Sequence, residues 1–157
     1  MKVVYPGTFD PITLGHLDVV KRGAKLFGSL TVAVAENARK KPLFSGEERL
    51  AMVEESVKGI KGVNVKKFDS LLVDFLNKEK ATVVLRGLRE TSDFPSEFQQ
   101  AVTNRFLGKE VETVFVMTSP EYFYVTSSLV KEIVELGGNI EQFVPGPVQE
   151  KLMRKFR

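Results

Sequence analysis

Short runs of β-branched residues alternate with helix-length amphipathic segments along almost the whole chain. The predicted strands are Lys2–Tyr5, Leu30–Glu36, Val63–Phe68, Thr82–Arg86 and Thr113–Met117. A helical pattern separates each strand from the next, and this succession favours a parallel sheet built with right-handed crossovers. Polar and apolar residues alternate little within the strands, which is typical of strands covered on both faces. The sequence therefore predicts an α/β domain with one doubly wound, five-stranded parallel sheet.

The chain has 157 residues, which is the length of one domain, and it contains no repeat, low-complexity tract or linker. Residues 1–157 are therefore predicted to form a single domain. After the fifth strand we expect a loop over residues 118–126 and a helix that begins near Ser127 or Ser128 and ends at Gly137-Gly138. A short terminal helix after Pro147 completes the predicted C-terminal helices. The fourth helix carries Phe98, Val102 and Phe106 at four-residue spacing, which predicts an amphipathic helix.

The composition argues against several classes of protein. Cysteine is absent and there is one histidine, so we expect no disulfide, no thiol nucleophile and no zinc site built by the protein. Lys and Arg total 23 against 20 for Asp and Glu, a formal net charge of +3, which is typical of an ordinary surface and not of a nucleic-acid-binding one. The sequence shows no signal-peptide pattern and no apolar run of membrane length. We therefore expect a cytoplasmic protein with neither nucleic acid nor membrane as partner.

The single histidine, His16, lies at the predicted start of the helix after the first strand and directly follows Gly15. Helix N-termini attract anions because their first N–H groups lack partners within the helix and because the peptide dipoles add. The same position disfavours the imidazolium form, so we expect a neutral ring that donates an N–H group to an anion. This junction therefore predicts a phosphate site.

Further candidate segments follow the other predicted strands. They are Arg39–Lys41 after the second strand, Asp69–Leu72 after the third, Arg86–Arg89 after the fourth and Tyr122–Ser128 after the fifth. In open parallel sheets, ligands bind beyond the carboxyl ends of the strands, where the strand order reverses. Guanidinium groups suit phosphate because they donate two parallel hydrogen bonds and stay charged. The pattern indicates a polyanionic small molecule as the ligand.

The segment Tyr5-Pro6-Gly7-Thr8-Phe9-Asp10-Pro11-Ile12-Thr13-Leu14-Gly15-His16 resembles the signature of the nucleotidylyltransferase superfamily, whose (His or Thr)-x-Gly-His motif binds nucleoside triphosphates. Over essentially its whole length the chain is similar to the bacterial phosphopantetheine adenylyltransferase family. The resemblance implies a Rossmann-like nucleotidylyltransferase fold and transfer of the adenylyl group of ATP to 4′-phosphopantetheine, with dephospho-coenzyme A and pyrophosphate as products. It also implies Mg²⁺ bound mainly through the ATP phosphates, a homohexamer, and coenzyme A as a candidate inhibitor.

The resemblance further implies roles for individual residues. Catalysis is assigned to His16, Lys40, Thr8 and Arg89, with His16 stabilising transition-state charge and Lys40 bridging the acceptor phosphate and the α-phosphate of ATP. The implied contacts to ATP are Thr8, Phe9, His16, Gly87, Leu88, Arg89, Glu97, Tyr122, Phe123, Tyr124, Val125, Thr126, Ser127 and Ser128. The implied contacts to phosphopantetheine are Thr8, Lys40, Leu72, Arg86 and Asn104. No metal ligand from the protein is expected.

Some points stay open at this stage. Thr126 stands where the family commonly has serine, and Ser96 replaces a frequent tyrosine, so nucleotide contacts are expected to differ in detail. Leu72 fits a groove for the pantetheine arm and a helix core equally well. The alternatives in function are a related nucleotidylyltransferase with CTP or a nicotinamide mononucleotide acceptor, and a non-catalytic adenine-nucleotide sensor. The Arg-Thr-x-Gly-Ile-Ser segment usual in cytidylyltransferases is absent, and His16, Lys40 and Arg86 together argue against a sensor.

Overall fold

The computed structural model describes residues 1–36 and 41–156. The strands are β1 (Val3–Gly7), β2 (Leu30–Ala35), β3 (Val63–Phe68), β4 (Val83–Leu88) and β5 (Glu112–Met117). The α-helices are α1 (Leu14–Phe27), α2 (Gly46–Val57), α3 (Leu72–Glu79), α4 (Phe94–Leu107), α5 (Ser127–Glu135) and α6 (Gly146–Lys155). Short 3₁₀ helices, Thr91–Asp93 and Pro120–Tyr122, come after β4 and β5.

The five strands form one sheet in the order β3-β2-β1-β4-β5, and every neighbouring pair is parallel. The order reverses between β1 and β4, because the chain builds β2 and β3 on one side of β1 and then returns to add β4 and β5 on the other side. This topology confirms the predicted doubly wound sheet. It also leaves a crevice at the carboxyl edge between β1 and β4, the usual ligand position in such folds.

Consecutive residues of the central strands contribute to two separate cores. Val3 and Tyr5 of β1 join a large cluster with residues of α1, α2, α5 and α6, whereas Val4 between them joins a smaller cluster with Phe75 and Leu76 of α3. This alternation follows from strand geometry, in which successive side chains point to opposite faces. Helices therefore cover both faces of the sheet.

Two expectations about the strands need correction. Burial on both faces holds for β1, β2 and β4, but β3 and β5 are edge strands and expose part of their residues. Strand β4 continues beyond the predicted end at Arg86, because Arg86, Gly87 and Leu88 pair with Phe115, Val116 and Met117 of β5. Arg86 consequently lies within the strand, and its side chain has a fixed direction.

The predicted apolar face of α4 is present but does not pack into a core of this chain. The exposed fractions of Phe98, Val102 and Phe106 are 53%, 52% and 84%, and α4 contains no buried residue. The four-residue spacing correctly predicted an amphipathic helix, and in the single chain its apolar side is exposed. Within residues 1–36 and 41–156, no helix is both long and apolar enough to cross a membrane.

Candidate active site

A cavity of about 600 Å³ opens at the carboxyl edge of the sheet. Its wall is built by the loop after β1 with the start of α1, by Lys41 and Pro42, by the end of β4 with the start of α4, and by the start of α5. The predicted site residues that line it are Thr8, Phe9, His16, Arg86, Gly87, Arg89, Glu97, Val125, Thr126 and Ser127. The size is within the usual range for small-molecule sites, about 300 to 1,000 Å³. Residues from four separate segments thus meet at the strand-order reversal.

His16 closes an unusual capping box at the start of α1. The Thr13 hydroxyl accepts a hydrogen bond from the backbone N–H of His16 at 3.3 Å, and the Thr13 N–H donates to Nδ1 of His16 at 3.0 Å. In an ordinary box a Glu or Gln side chain makes that second bond. Because Nδ1 is an acceptor here, the neutral ring carries its proton on Nε2.

The environment of His16 keeps this ring neutral. Burial, together with the positive charges of Arg89 and Arg86, lowers the pKa of His16 to about 4 from 6.5. The imidazole is therefore uncharged at neutral pH, as the sequence predicted. It offers one N–H donor at a wall that also carries two guanidinium groups.

Phe9 supports the His16 ring from the loop after β1. Its buried ring packs edge-on against His16, with 5.2 Å between centroids, and against Tyr5 at 5.5 Å. Phe9 has a left-handed backbone with φ of 50°, which is uncommon for a residue of this size and typical of constrained functional loops. Gly7 makes room, since a Cβ there would lie 2.8 Å from the Phe9 ring.

Arg86 is held in place by a carboxylate and a backbone carbonyl. Its Nε and one terminal nitrogen each donate to a carboxylate oxygen of Glu97 at 2.5 Å, and the other terminal nitrogen donates to the Pro6 carbonyl at 2.8 Å. The hydrogen bonds from Arg86 outweigh burial, so the pKa of Arg86 stays above its ordinary value. Both oxygens of Glu97 accept hydrogen bonds from Arg86, and the contact between Glu97 and ATP that the resemblance implied stays a prediction.

Arg89 is held in a similar way by Asp93, four residues further along. The Asp93 carboxylate accepts the Arg89 backbone N–H at 3.1 Å and a guanidinium N–H at 2.9 Å. Gly87 lies between the two arginines in sequence, and a Cβ at this position would meet the side chain of Val19 on α1 at 2.9 Å. Glycine is therefore required here for the close packing of α1 on β4, whatever it contacts in a ligand.

Asp10 and Lys131 also line the cavity, although no sequence pattern predicted a role for either residue. The Asp10 carboxylate accepts hydrogen bonds from the backbone N–H groups of Leu43 and Phe44 at 2.9 and 3.0 Å, and from Lys131 at 2.8 Å. Burial acts to raise the pKa of Asp10, but these hydrogen bonds hold it below its ordinary value. The two partners are far apart in sequence, and no local pattern signals the pair.

A second, much smaller cavity adjoins the first and shares Arg86 and Glu97 with it. Leu72 and Asn104, both predicted to contact the pantetheine arm, line this second cavity. Leu72 also packs against the smaller core cluster, which agrees with the core interpretation, while its contact with the pantetheine arm stays a prediction. The hydroxyl of Thr113 lines the same cavity, is buried, and has no hydrogen-bond partner among the described residues.

Several predicted residues lie elsewhere. Leu88, Tyr122, Phe123, Tyr124 and Ser128 are not part of the cavity wall. Leu88 is buried, and the ring of Tyr124 packs edge-on against Phe123 and Phe143. Lys40 lies outside the described residues, while the following Lys41 lines the cavity.

The side chains of the cavity wall suit phosphate groups more than a protein-held metal. Among the described residues there is no cluster of three or more His, Asp or Glu side chains able to hold an ion. Magnesium commonly keeps several waters and binds through substrate phosphates, and such binding requires no dense carboxylate cage.

The fold and this wall of a helix start, a neutral imidazole and two anchored arginines define a nucleotidyltransferase of the cytidylyltransferase-like class, whose family profile matches residues 4–133. The crystal structure of a lipopolysaccharide core biosynthesis protein from Thermoplasma volcanium has the same fold. It aligns with a TM-score of 0.55 at 23% identity and covers 76% of this chain and 96% of that one.

Proteins of similar sequence identify one family within this class. Phosphopantetheine adenylyltransferases from Caldanaerobacter subterraneus subsp. tengcongensis and Dictyoglomus thermophilum are each 52% identical, over 98% and 99% of this chain and 96% and 95% of their own lengths. The enzyme of the same name from Prochlorococcus marinus is 48% identical over the full length of both chains. This chain belongs to the phosphopantetheine adenylyltransferase family.

Proposed function

We propose that this protein transfers the adenylyl group of ATP to 4′-phosphopantetheine, giving dephospho-coenzyme A and pyrophosphate. The observation that carries the proposal is the arrangement of two adjoining cavities around the Arg86–Glu97 pair. The larger cavity has the cations and the helix start that a triphosphate needs. The smaller one shares Arg86 with it and is lined by Leu72 and Asn104, the two residues to which we assign the start of the pantetheine arm. Relatives of about 50% identity with this activity in their names support the assignment.

The reaction needs positioning more than it needs a base. An oxygen of the acceptor phosphate forms a bond to the α-phosphorus of ATP, the bond from that phosphorus to the oxygen bridging to the β-phosphorus breaks, and pyrophosphate leaves with the electron pair. The nucleophile is already an anion, so no side chain has to remove a proton. The protein must hold two mutually repelling anions in line and stabilise charge as the transition state forms.

We assign the binding and stabilisation of these charges to neighbouring side chains. Arg86 lies at the junction of the two cavities and is assigned to the acceptor phosphate, with its orientation set by Glu97 and Pro6. The Nε2–H of His16 is assigned to the charge that develops on the transferring phosphoryl group. A donor that is already oriented costs no reorganisation during the reaction, and such groups make large contributions to catalysis. Arg89 and the start of α5 at Thr126 are assigned to the outer phosphates.

Mg²⁺ belongs to the same proposal. When bound, it would neutralise phosphate charge and orient the pyrophosphate leaving group. The ion would be held mainly by phosphate oxygens and water, which agrees with the donor groups of the described cavity wall.

We also propose a homohexamer that works in the cytoplasm. The apolar side chains of α4 are exposed, with Phe106 at 84%, and Phe94 of the same helix packs against Phe115 of the edge strand β5; association with further copies would cover both elements. Light scattering of the purified protein tests this assembly. Coenzyme A combines an adenine nucleotide with a pantetheine arm, so it is expected to compete for the same two cavities.

A pyrophosphate-release assay tests the proposed reaction. The purified protein is given ATP and Mg²⁺ with 4′-phosphopantetheine, with nicotinamide mononucleotide, or with no acceptor. We expect release only with phosphopantetheine, in equal amount to dephospho-coenzyme A. Release with nicotinamide mononucleotide would indicate another acceptor, and ATP binding without release in any arm would favour a nucleotide sensor.

A further inference from the structure

Arg49 on α2 is the largest side chain that is fully buried, with 1% exposure. Its guanidinium group donates to four backbone carbonyls: Thr8 and Ala35 at 2.7 Å each, Phe44 at 3.2 Å and Glu36 at 3.4 Å. No carboxylate of the described residues lies within ion-pair distance of it. A buried guanidinium served only by carbonyls is rare, and it requires an explanation.

Such an arrangement is costly. Burial disfavours the charged form and lowers the pKa of Arg49, although the negative charges of Asp10 and Glu36 oppose this. An apolar residue of similar volume usually fills a core at lower cost than a buried charge does. What arginine alone provides is a rigid, planar set of five donors that can bind several carbonyls in fixed relative positions.

The four carbonyls come from three segments that meet at the active edge. Thr8 follows β1, Ala35 and Glu36 end β2, and Phe44 directly precedes the N-cap of α2. Asp10 reinforces the same junction because it accepts the backbone N–H of Phe44, whose carbonyl binds Arg49. Both backbone groups of Phe44 are therefore fixed relative to the loop after β1.

Two of these segments contribute to the cavity wall. Thr8 and Phe9 line the cavity from the loop after β1, and Lys41 and Pro42, a few residues before Phe44, line it from the segment before α2. We propose that Arg49 is a positioning residue, which sets the distance between the Thr8 side and the Lys41 side of the cavity without contacting substrate. Its kinetic consequence rests on the proposed function. Errors of about 1 Å in such positioning can cost about 100-fold in rate.

The test compares Arg49→Lys with Val53→Ala. Lysine keeps the charge but has neither the planar fork nor its number of donors. Val53 is buried on the same helix and packs in the main core, and it has no polar group that could bind the loop carbonyls, so its truncation is the control for a loss of core packing. Both variants are assayed well below their melting temperatures, with kcat and the KM values determined per folded molecule.

We expect Arg49→Lys to lower kcat by about 10- to 100-fold with less than about a 3-fold change in the KM for ATP. Val53→Ala should leave kcat and the KM for ATP unchanged. Hydrogen–deuterium exchange gives a readout independent of activity: peptides that cover residues 8–10 and 41–44 should exchange faster in Arg49→Lys and unchanged in Val53→Ala. If the wild type lacks the proposed activity, this exchange result still decides whether Arg49 fixes the two loops.

Arg49→Met is the second variant, because it removes every hydrogen bond while avoiding a buried charge. It should show the same loss of kcat and the same faster hydrogen–deuterium exchange in peptides that cover residues 8–10 and 41–44. Wild-type kcat in either folded variant would overturn the proposal, as would faster exchange spread evenly over the sheet. Failure of both variants to fold would assign Arg49 to the fold itself and would also overturn it.

Discussion

Nδ1 of His16 lies 3.0 Å from the backbone nitrogen of Thr13, the residue that caps the same helix. The bond fixes the imidazole orientation and the tautomer in one step, because an acceptor at Nδ1 leaves the proton on Nε2. The His16 side chain therefore caps α1 and is also the candidate catalytic donor. A histidine that faced solvent at this position would have neither a fixed ring orientation nor a fixed tautomer.

Replacing His16 tests the assigned donor. We expect His16→Ala to lower turnover by about 100-fold or more, because a preorganised donor to transition-state charge is lost, while the affinity for ATP changes much less. Single-turnover rates and nucleotide titrations measure the two effects separately. A mutant with nearly wild-type single-turnover rates would remove His16 from the catalytic residues.

The stability of the fold should depend on the protonation of His16 in acid. Its pKa is about 4 when folded and 6.5 ordinarily, so the unfolded chain takes up a proton first as the pH falls. The contribution of His16 is fully present above about pH 6.5 and is lost progressively as the pH falls through about 4. Urea unfolding from pH 7.5 to 4.5 should show this slope in the wild type and a shallower one in His16→Asn. Parallel slopes for both proteins would contradict the buried, neutral ring.

Arg86 should decide whether the acceptor must carry a phosphate. Calorimetry should show that the wild type binds 4′-phosphopantetheine more tightly than pantetheine by several kcal/mol, and that Arg86→Ala removes most of this preference. Arg105→Ala is the matched control, since Arg105 forms only an exposed ion pair with Glu112. Equal wild-type affinity for the two ligands would exclude the role assigned to Arg86.

Leu72 combines packing and cavity lining, and an adjacent leucine separates the two effects. Leu72→Asp should raise the KM for phosphopantetheine about tenfold, leave the KM for ATP nearly unchanged and lower the melting temperature moderately, because the side chain is partly buried against the smaller core. Leu71→Asp should do neither, since Leu71 is 62% exposed. A collapse in stability of Leu72→Asp with unchanged kinetics would make Leu72 a core residue only.

Lys40 and Lys41 are two alternative candidates for the residue that binds the acceptor phosphate. The family pattern selects Lys40, whereas Lys41 is the one of the pair that lies among the described residues and lines the cavity. We expect Lys40→Ala to lower kcat/KM by about 100-fold and Lys41→Ala by less than about fivefold, because one bridging cation suffices. Steady-state kinetics of both variants decide the point, and the reverse order would move the role to Lys41.

Much of the fold is visible in the sequence because the signals are local. The β-branched strand segments and the glycines after α5 each depend on a few consecutive residues, and both are confirmed. The parallel sheet and the shared edge of the candidate segments follow from βα alternation. The helix-start motif at His16 is likewise local, and the structure places it in the cavity wall.

Only the tertiary structure determines which charged side chains are held by hydrogen bonds and which residues are their partners. Arg86 with Glu97, Asp10 with Lys131, and Arg49 with the Thr8 carbonyl join residues 11, 121 and 41 positions apart. In sequence, the buried Arg49 and the exposed Arg105 are equally plausible surface cations, and the face of α4 is indistinguishable from one that packs into a core. Burial and pairing depend on which strands become neighbours and where each ends, and these are properties of the folded chain that no local run of residues contains.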